Sequence, residues 1–168
     1  MKKFFILVFT FLLVVLSQST FGQEENEGSN HGVFLELLGN GIFYSVNYDT
    51  RFSKKKDGFG GRVGFGYIGV DGDHYSSFPF LINYLKGKNG HYFEFGAGAN
   101  YLVVDTENRI NSSPSSIERW EGWSGTVSLG YRFQPSEGGF LFRAGLTPIF
   151  RKDEIRPFWP QVSIGYAF

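Results

Sequence analysis

Between residues 123 and 134, apolar and polar positions alternate. Trp123, Gly125, Val127, Leu129, Tyr131 and Phe133 fall on one face, and Ser124, Thr126, Ser128, Gly130, Arg132 and Gln134 on the other. A period of two is the signature of a β-strand, whose successive side chains point to opposite faces. The same code runs to the end of the chain, where Phe158, Pro160, Val162, Ile164, Tyr166 and Phe168 oppose Trp159, Gln161, Ser163, Gly165 and Ala167. It recurs after His91, with Phe93, Phe95, Ala97, Ala99, Tyr101 and Val103 against Glu94, Gly96, Gly98 and Asn100, and again around Arg62. From Gly32 onward no stretch sustains the i, i+3, i+4, i+7 spacing of an amphipathic helix. Interior glycine would also cost a helix about 1 kcal/mol per position.

Turn residues divide the chain into eight such segments, at 33–38, 42–52, 59–68, 78–85, 91–104, 123–134, 139–150 and 158–168. The connections alternate in character. Those at 53–58, 86–90 and 134–138 are short and rich in Lys, Gly or Pro; those at 69–77, 105–122 and 151–157 are mostly longer. Only Gly39-Asn40-Gly41 departs from this alternation. An even number of strands, with short turns at one end and longer loops at the other, is the layout of a transmembrane β-barrel.

A membrane barrel and a water-soluble calyx share the alternation and differ in which face meets water. Lysine decides part of the question. Lys54, Lys55, Lys56, Lys86, Lys88 and Lys152 all fall in turns or at strand ends, while the polar faces use Gly, Ser, Asn, Arg and Glu, as a narrow lumen would require. Aromatics decide the rest. Tyr48, Tyr84, Tyr131 and Tyr166 lie near the short-turn end, and Tyr67, Tyr101 and Trp123 near the other, as two interfacial girdles. The expected fold is all-β: a closed, antiparallel, eight-stranded transmembrane β-barrel. Composition agrees once it is assigned to faces. Gly numbers 23 and Phe 20 in 168 residues, where average usage would give about 12 glycines; small residues crowd the inner face and aromatics populate the outer one. A mean hydropathy of −0.16 excludes a bundle of apolar helices but not a barrel with a polar lumen and polar loops.

Lys2 and Lys3 precede a thirteen-residue run, Phe4 to Leu16, broken only by Thr10, and small residues follow at Thr20 and Gly22. This reads as a cleaved export signal over 1–22. The run is shorter than the roughly 20 apolar residues a helix needs to cross a bilayer. A polar, disordered lead-in is expected over 23–31, and the barrel over 32–168. With 16 basic and 16 acidic residues the chain is formally neutral, so no nucleic-acid partner is expected. The absence of cysteine rules out a disulfide scaffold, a thiolate metal site and a cysteine nucleophile.

The chain ends Val162-Ser163-Ile164-Gly165-Tyr166-Ala167-Phe168, with a terminal Phe and apolar residues at every second position before it. This resembles the last strand of bacterial outer-membrane β-barrel proteins. The wider pattern is similar to the small porin-like, OmpA-like barrel domains: Glu36, then Gly39-Asn40-Gly41, Tyr44-Ser45-Val46-Asn47-Tyr48, and Glu94-Phe95-Gly96-Ala97-Gly98. The resemblance covers 32–168. It implies an outer-membrane location, lipid and lipopolysaccharide as surroundings, and capture by the barrel-assembly machinery through the strand ending in Phe168. It says little about activity, because that fold hosts several functions.

With the polar faces turned inward, Glu36, Asp49, Arg51, Arg62, Glu94, Arg132 and Arg143 all enter the lumen near the short-turn end. Four arginines would then meet three carboxylates in one belt. Arg suits such a place, because its planar fork engages carboxylates in pairs and does not deprotonate. The expectation is a structural plug, with a gate for a narrow pore as the alternative. Above it, Gly64, Gly66, Gly96, Gly98, Ser124, Thr126, Gly145 and Thr147 would line a shallow cavity. No catalytic residue, cofactor or metal is expected. Gly64-Phe65-Gly66-Tyr67-Ile68-Gly69 matches a dinucleotide fingerprint in letters but opens no helix, and Asp71-Gly72-Asp73 lacks the other ligands of a calcium loop. Asn111-Ser112-Ser113 fits a glycosylation sequon, which has little meaning for a bacterial export. His31, His74 and His91 are dispersed. Only His74, with Asp71, Asp73, Ser76 and Ser77 nearby, leaves room for a lipopolysaccharide-modifying enzyme. The favoured role is a monomeric structural or surface-binding barrel that acts through the connection 105–122.

Overall fold

Backbone pairing begins at His31 and returns to it. His31 N donates to Phe168 O and Phe168 N donates to His31 O, both at 3.0 Å, so the first and last strands seal one continuous wall. The computed structural model describes residues 30–110, 113–152 and 154–168, and the side chains of all of these except 107–110 and 113–117. The expected export signal, most of the lead-in, and Asn111 and Ser112 of the sequon lie outside the described residues.

The described residues form β1 (His31–Leu38), β2 (Tyr44–Arg51), β3 (Gly58–Val70), β4 (Asp73–Lys88), β5 (His91–Ile110), β6 (Ser113–Phe133), β7 (Gly139–Leu146), β8 (Ile149–Phe150), β9 (Ile155–Arg156) and β10 (Pro160–Ala167). These ten segments make eight staves, because β8 continues β7 and β10 continues β9. The break in the seventh stave falls at Thr147-Pro148. Proline has no N–H to give a ladder, and here its carbonyl accepts from Val127 N at 3.1 Å while Thr147 N donates to Trp159 O at 2.6 Å. Every pairing is antiparallel, and β5–β6 and β1–β10 close the ring. The result is the closed eight-stranded barrel that the alternation predicts.

Polarity is inverted relative to a water-soluble protein. Val63, Ile82 and Ile164 are 58%, 59% and 53% exposed on the outer wall, whereas Glu36, Asp49, Arg62 and Arg143 are buried. Backbones pack closely where side chains are missing. A Cβ at Gly165 would stand 2.1 Å from Val33 O and 2.4 Å from Phe34 Cβ, so glycine there lets β10 lie against β1 and leaves Phe34 its place inside.

Four boundaries differ from the sequence expectation. The barrel begins at His31 rather than residue 32, because His31 already pairs with Thr50. The segment 69–77 is no loop. β3 runs to Val70 and β4 starts at Asp73, around a two-residue turn in which Asp71 and Gly72 take φ of 52° and 94°; Asp-Gly is suited to such a turn because both positions need positive φ. The connection 105–122 is likewise mostly ladder, paired from Asp105↔Arg119 out to Ile110↔Ser113 with a register shift at Asn108/Arg109. In both places the apolar code stops before the ladder does, because backbone pairing is blind to side-chain polarity. The two ends of the barrel therefore differ in how far the ladders extend rather than in loop length.

The first connection is the fourth difference. Gly39–Gly41 forms a single 3-10 turn whose three residues are all buried, and β2 begins at Tyr44 rather than Ile42. Leu38 and Ile42 flank it at φ of 59° and 72°. The turn folds into the barrel, where Ser77 Oγ donates to Gly41 O at 3.1 Å.

Candidate functional site

All seven charged residues expected in the lumen meet there, each at least nine-tenths buried. Period two explains their shared direction: Glu36 on β1, Asp49 and Arg51 on β2, Arg62 on β3, Glu94 on β5, Arg132 on β6 and Arg143 on β7 all occupy inward positions.

Their connectivity is a single chain of alternating sign. Arg62 Nη1 donates to Glu36 Oε2 at 3.1 Å, and Arg143 Nη1 donates to the same oxygen at 3.1 Å. Arg143 then forks onto Glu94, Nε to Oε2 at 2.9 Å and Nη2 to Oε1 at 2.6 Å. Glu94 lies 3.6 Å from Arg132 Nη1, whose Nη2 donates to Asp49 Oδ1 at 2.8 Å. Arg51 Nη2 ends the chain on that same Asp49 oxygen, also at 2.8 Å. With an arginine at both ends, four cations and three anions are what an alternating chain of seven requires. Each carboxylate lies between two guanidinium groups, which offsets the large cost of taking it out of water.

Register by itself would mispair this set. Asp49 lies directly across from Arg62, yet Arg62 bonds to Glu36 and Asp49 bonds to Arg51 and Arg132. Arg132 lies directly across from Arg143, two like charges side by side, and Glu94 reaches both.

Several partners are not evident from the charged residues alone. Phe34 lies beneath the belt, its ring centroid 4.6 Å from the Arg143 guanidinium and 5.7 Å from that of Arg62. Asn83 Nδ2 donates to Asp49 Oδ2 at 2.6 Å and its oxygen accepts from Arg51. Gln134 Oε1 accepts from Arg132 Nε at 2.8 Å, and Ser163 Oγ donates to Glu36 at 3.4 Å. Strand parity alone could have found these four, since each faces inward at the level of the belt. Asn40 could not have been found so: its N–H donates to Glu36 Oε1 at 3.0 Å only because the 3-10 turn enters the lumen.

At two of the positions expected to line a shallow cavity above the belt, side chains take up the space. A Cβ at Gly64 would lie 2.2 Å from Asn47 Oδ1, and one at Gly66 would lie 2.6 Å from Ser77 Oγ, so neighbouring side chains already occupy the room those glycines leave. Open space lies further out, at the mouth, with apolar rather than small polar walls.

His74 does not converge on a serine. It lies across from Gly69, and its Nδ1 is 2.9 Å from the Tyr67 hydroxyl. Ser77 faces the lumen and bonds to Gly41. The other two histidines also meet tyrosine hydroxyls, His31 with Tyr48 at 2.8 Å and His91 with Tyr131 at 2.6 Å. Among the described residues, no group of three or more His, Asp or Glu could hold a metal ion.

The fold is that of the small outer-membrane β-barrel domains. The chain is similar to the N-terminal β-barrel domain of Pseudomonas aeruginosa OprF, with a TM-score of 0.63 at 15% sequence identity, over 84% of this chain and 99% of that one. The outer-membrane protein Ail of Yersinia pestis aligns over 83% of this chain and 99% of its own, at 14% identity and a TM-score of 0.49. No protein-family model matches the sequence, and no curated protein matches it.

Proposed function

We propose that this chain is an integral outer-membrane β-barrel, exported by its N-terminal signal, with the short turns in the periplasm and the extended hairpins outside. Its role is structural or surface-binding, and its lumen is closed by the charge belt. The observation that carries this reading is the inverted polarity. Arg62, Arg132 and Arg143 are each 1% exposed at the centre while the wall around them presents Leu, Val, Ile and Phe outward. Such a wall is stable against hydrocarbon, and a closed ladder leaves no unsatisfied strand edge there. The belt favours closure over conduction, because an eight-stranded lumen is only wide enough to be filled by side chains, and here the guanidinium groups bridge β1, β2, β3, β5, β6 and β7 across it.

Fractionation of cells expressing the full chain should recover the protein from the outer membrane, with the hairpin β5–β6 open to surface labelling. Recovery from the soluble periplasm would overturn the reading. Purified protein in planar bilayers should carry no steady ion current. A current abolished by changing the belt arginines would replace the plug with a gated pore.

A further inference from the structure

The outer mouth holds a cavity of about 360 Å³ whose lining includes none of the seven belt residues. Register places it. Tyr75 pairs with Val104 and Val104 with Trp120, so three side chains stand in one row across β4, β5 and β6. Each is an even number of residues from an inward group of its own strand: Tyr75 from Asn83, Val104 from Glu94, Trp120 from Arg132. Leu102 and Ile149 share the inward direction and are buried. The wall that is polar at the belt has become apolar on the same face.

The floor is made by Ile42 and Phe43, at the exit of the inward-folded 3-10 turn. A φ of 72° at Ile42 is a conformation that a β-branched residue strongly avoids. The tertiary contacts that hold the turn there are the bonds to Glu36 and Ser77 and an edge contact between Phe43 and Tyr75, with centroids 5.6 Å apart. Strain kept in place by the surrounding structure is a feature of ligand-holding sites.

The rim is cationic. The Arg151 guanidinium lies over the Trp120 ring at 5.3 Å, and that of Arg156 over Trp159 at 5.5 Å. Glu154 accepts from Arg156 Nε at 2.7 Å, and this bond holds its carboxyl below the usual carboxylate range. Arg151 acts on Glu154 by charge as well. Among its lining residues the apolar cup thus carries two guanidinium groups and one carboxylate at its lip.

We propose that this mouth binds a single-chain amphiphile with an anionic head group. The alkyl chain lies against Leu102, Val104, Trp120 and Ile149, and the head group rests on Arg151. The volume lies at the low end of small-molecule pockets, about 300–1,000 Å³, and fits a length of one chain rather than a multi-chain lipid. Either a free fatty carboxylate or an anionic lysophospholipid carries this chemistry. The proposal rests on the membrane reading, which makes this mouth the end of the barrel that opens outside the cell.

The test uses the barrel in phosphatidylcholine nanodiscs, with Trp123→Phe and Trp159→Phe leaving Trp120 as the fluorophore. Bromododecanoate should quench Trp120 saturably, and bromododecanol should do so only weakly. Arg151→Gln, at a partly exposed position, should weaken carboxylate binding about tenfold, the effect of losing a charge-assisted bond. Ile149→Phe, which reduces the cavity, should weaken both amphiphiles. Displacement of the brominated probe by lysophosphatidylglycerol would point to the membrane as source, and its failure to displace to a free carboxylate. Quenching that never saturates, or that is unchanged in Arg151→Gln, is partition into the lipid and would overturn the proposal. Failure of the chain to enter nanodiscs would overturn the membrane reading and this proposal with it.

Discussion

Arg143 makes three hydrogen bonds to two carboxylates and covers an aromatic ring, so its removal breaks more of the belt than that of any other belt arginine. Arg143→Ala would leave Glu94 with the longer contact to Arg132 as its one cation, and Glu36 with Arg62 as its one cation. Uncompensated buried charge costs about 3–5 kcal/mol, and the urea midpoint of the refolded barrel in detergent should fall accordingly. Replacing Arg62, Glu36, Arg143 and Glu94 together by Met, Leu, Met and Leu should recover much of that loss, since a packed apolar cluster removes the desolvation cost of all four and leaves Arg132 and Arg51 paired with Asp49. A quadruple variant as unstable as Arg143→Ala would mean that the belt supplies net stability rather than specificity. At Gly165 the constraint is steric: a Cβ 2.1 Å from Val33 O cannot be relieved by turning a side chain. Gly165→Ala should therefore open the β1–β10 seam and lower the fraction of barrel that migrates in its compact form on unheated gels. The directions of the belt residues were legible in the sequence, because parity is a local property. Their pairing was not: Asp49 faces Arg62 in register and bonds elsewhere, a choice made by the reach of side chains across a lumen that exists only after closure.

The two ends of the barrel are distinguished at the scale of the strand and the turn. The seam residue Phe168 exchanges two backbone bonds with His31 and stacks on its ring at a centroid distance of 5.9 Å. Deleting Phe168 removes a single terminal pair, so refolding of the purified chain in detergent should change little. Its assembly into the outer membrane of living cells should fall steeply if the last strand is the segment recognised by the assembly machinery. Equal losses in both measurements would assign Phe168 to stability alone. At the other end, Gly72 takes φ of 94° in the turn between β3 and β4. Gly72→Ala should cost about 1 kcal/mol, measured by the same urea transition, with no change in membrane insertion. Strand existence was legible from period two, whereas strand ends were not. At Asp73, Asp105 and Arg119 the chain remains in ladder although its side chains no longer alternate between apolar and polar, and hydrogen bonding carries no signature in residue type. The inward fold of Gly39–Gly41 was hidden for a related reason. Gly-Asn-Gly marks a turn, but whether the turn meets solvent or enters the lumen depends on Glu36 and Ser77, which approach it only in the closed barrel.

The molecule as a whole separates two media through one wall, and its stability should reflect which of its charges meet water. The belt is shielded from the solution by the wall and by the 3-10 turn. Raising salt from 0.05 M to 1 M should move its unfolding midpoint little, since buried pairs are screened far less than exposed ones. The pair Arg156–Glu154 at the mouth is half exposed and contributes little in either condition. A strong loss of stability in high salt would show that ions reach the belt, and with it that the lumen is open.

The sequence by itself determined that the chain is a wall of eight staves, which residues face inward, and that seven charges lie near one level. Each of these follows from a repeat of two residues and the spacing of turn signals, both readable within a single strand. Only the tertiary structure decided how the charges alternate, that the first turn becomes the floor of the mouth, and that the inner face changes from polar to apolar as it leaves the belt. These depend on residues of six or more strands being brought within a few ångströms, and closure is the event that makes them neighbours.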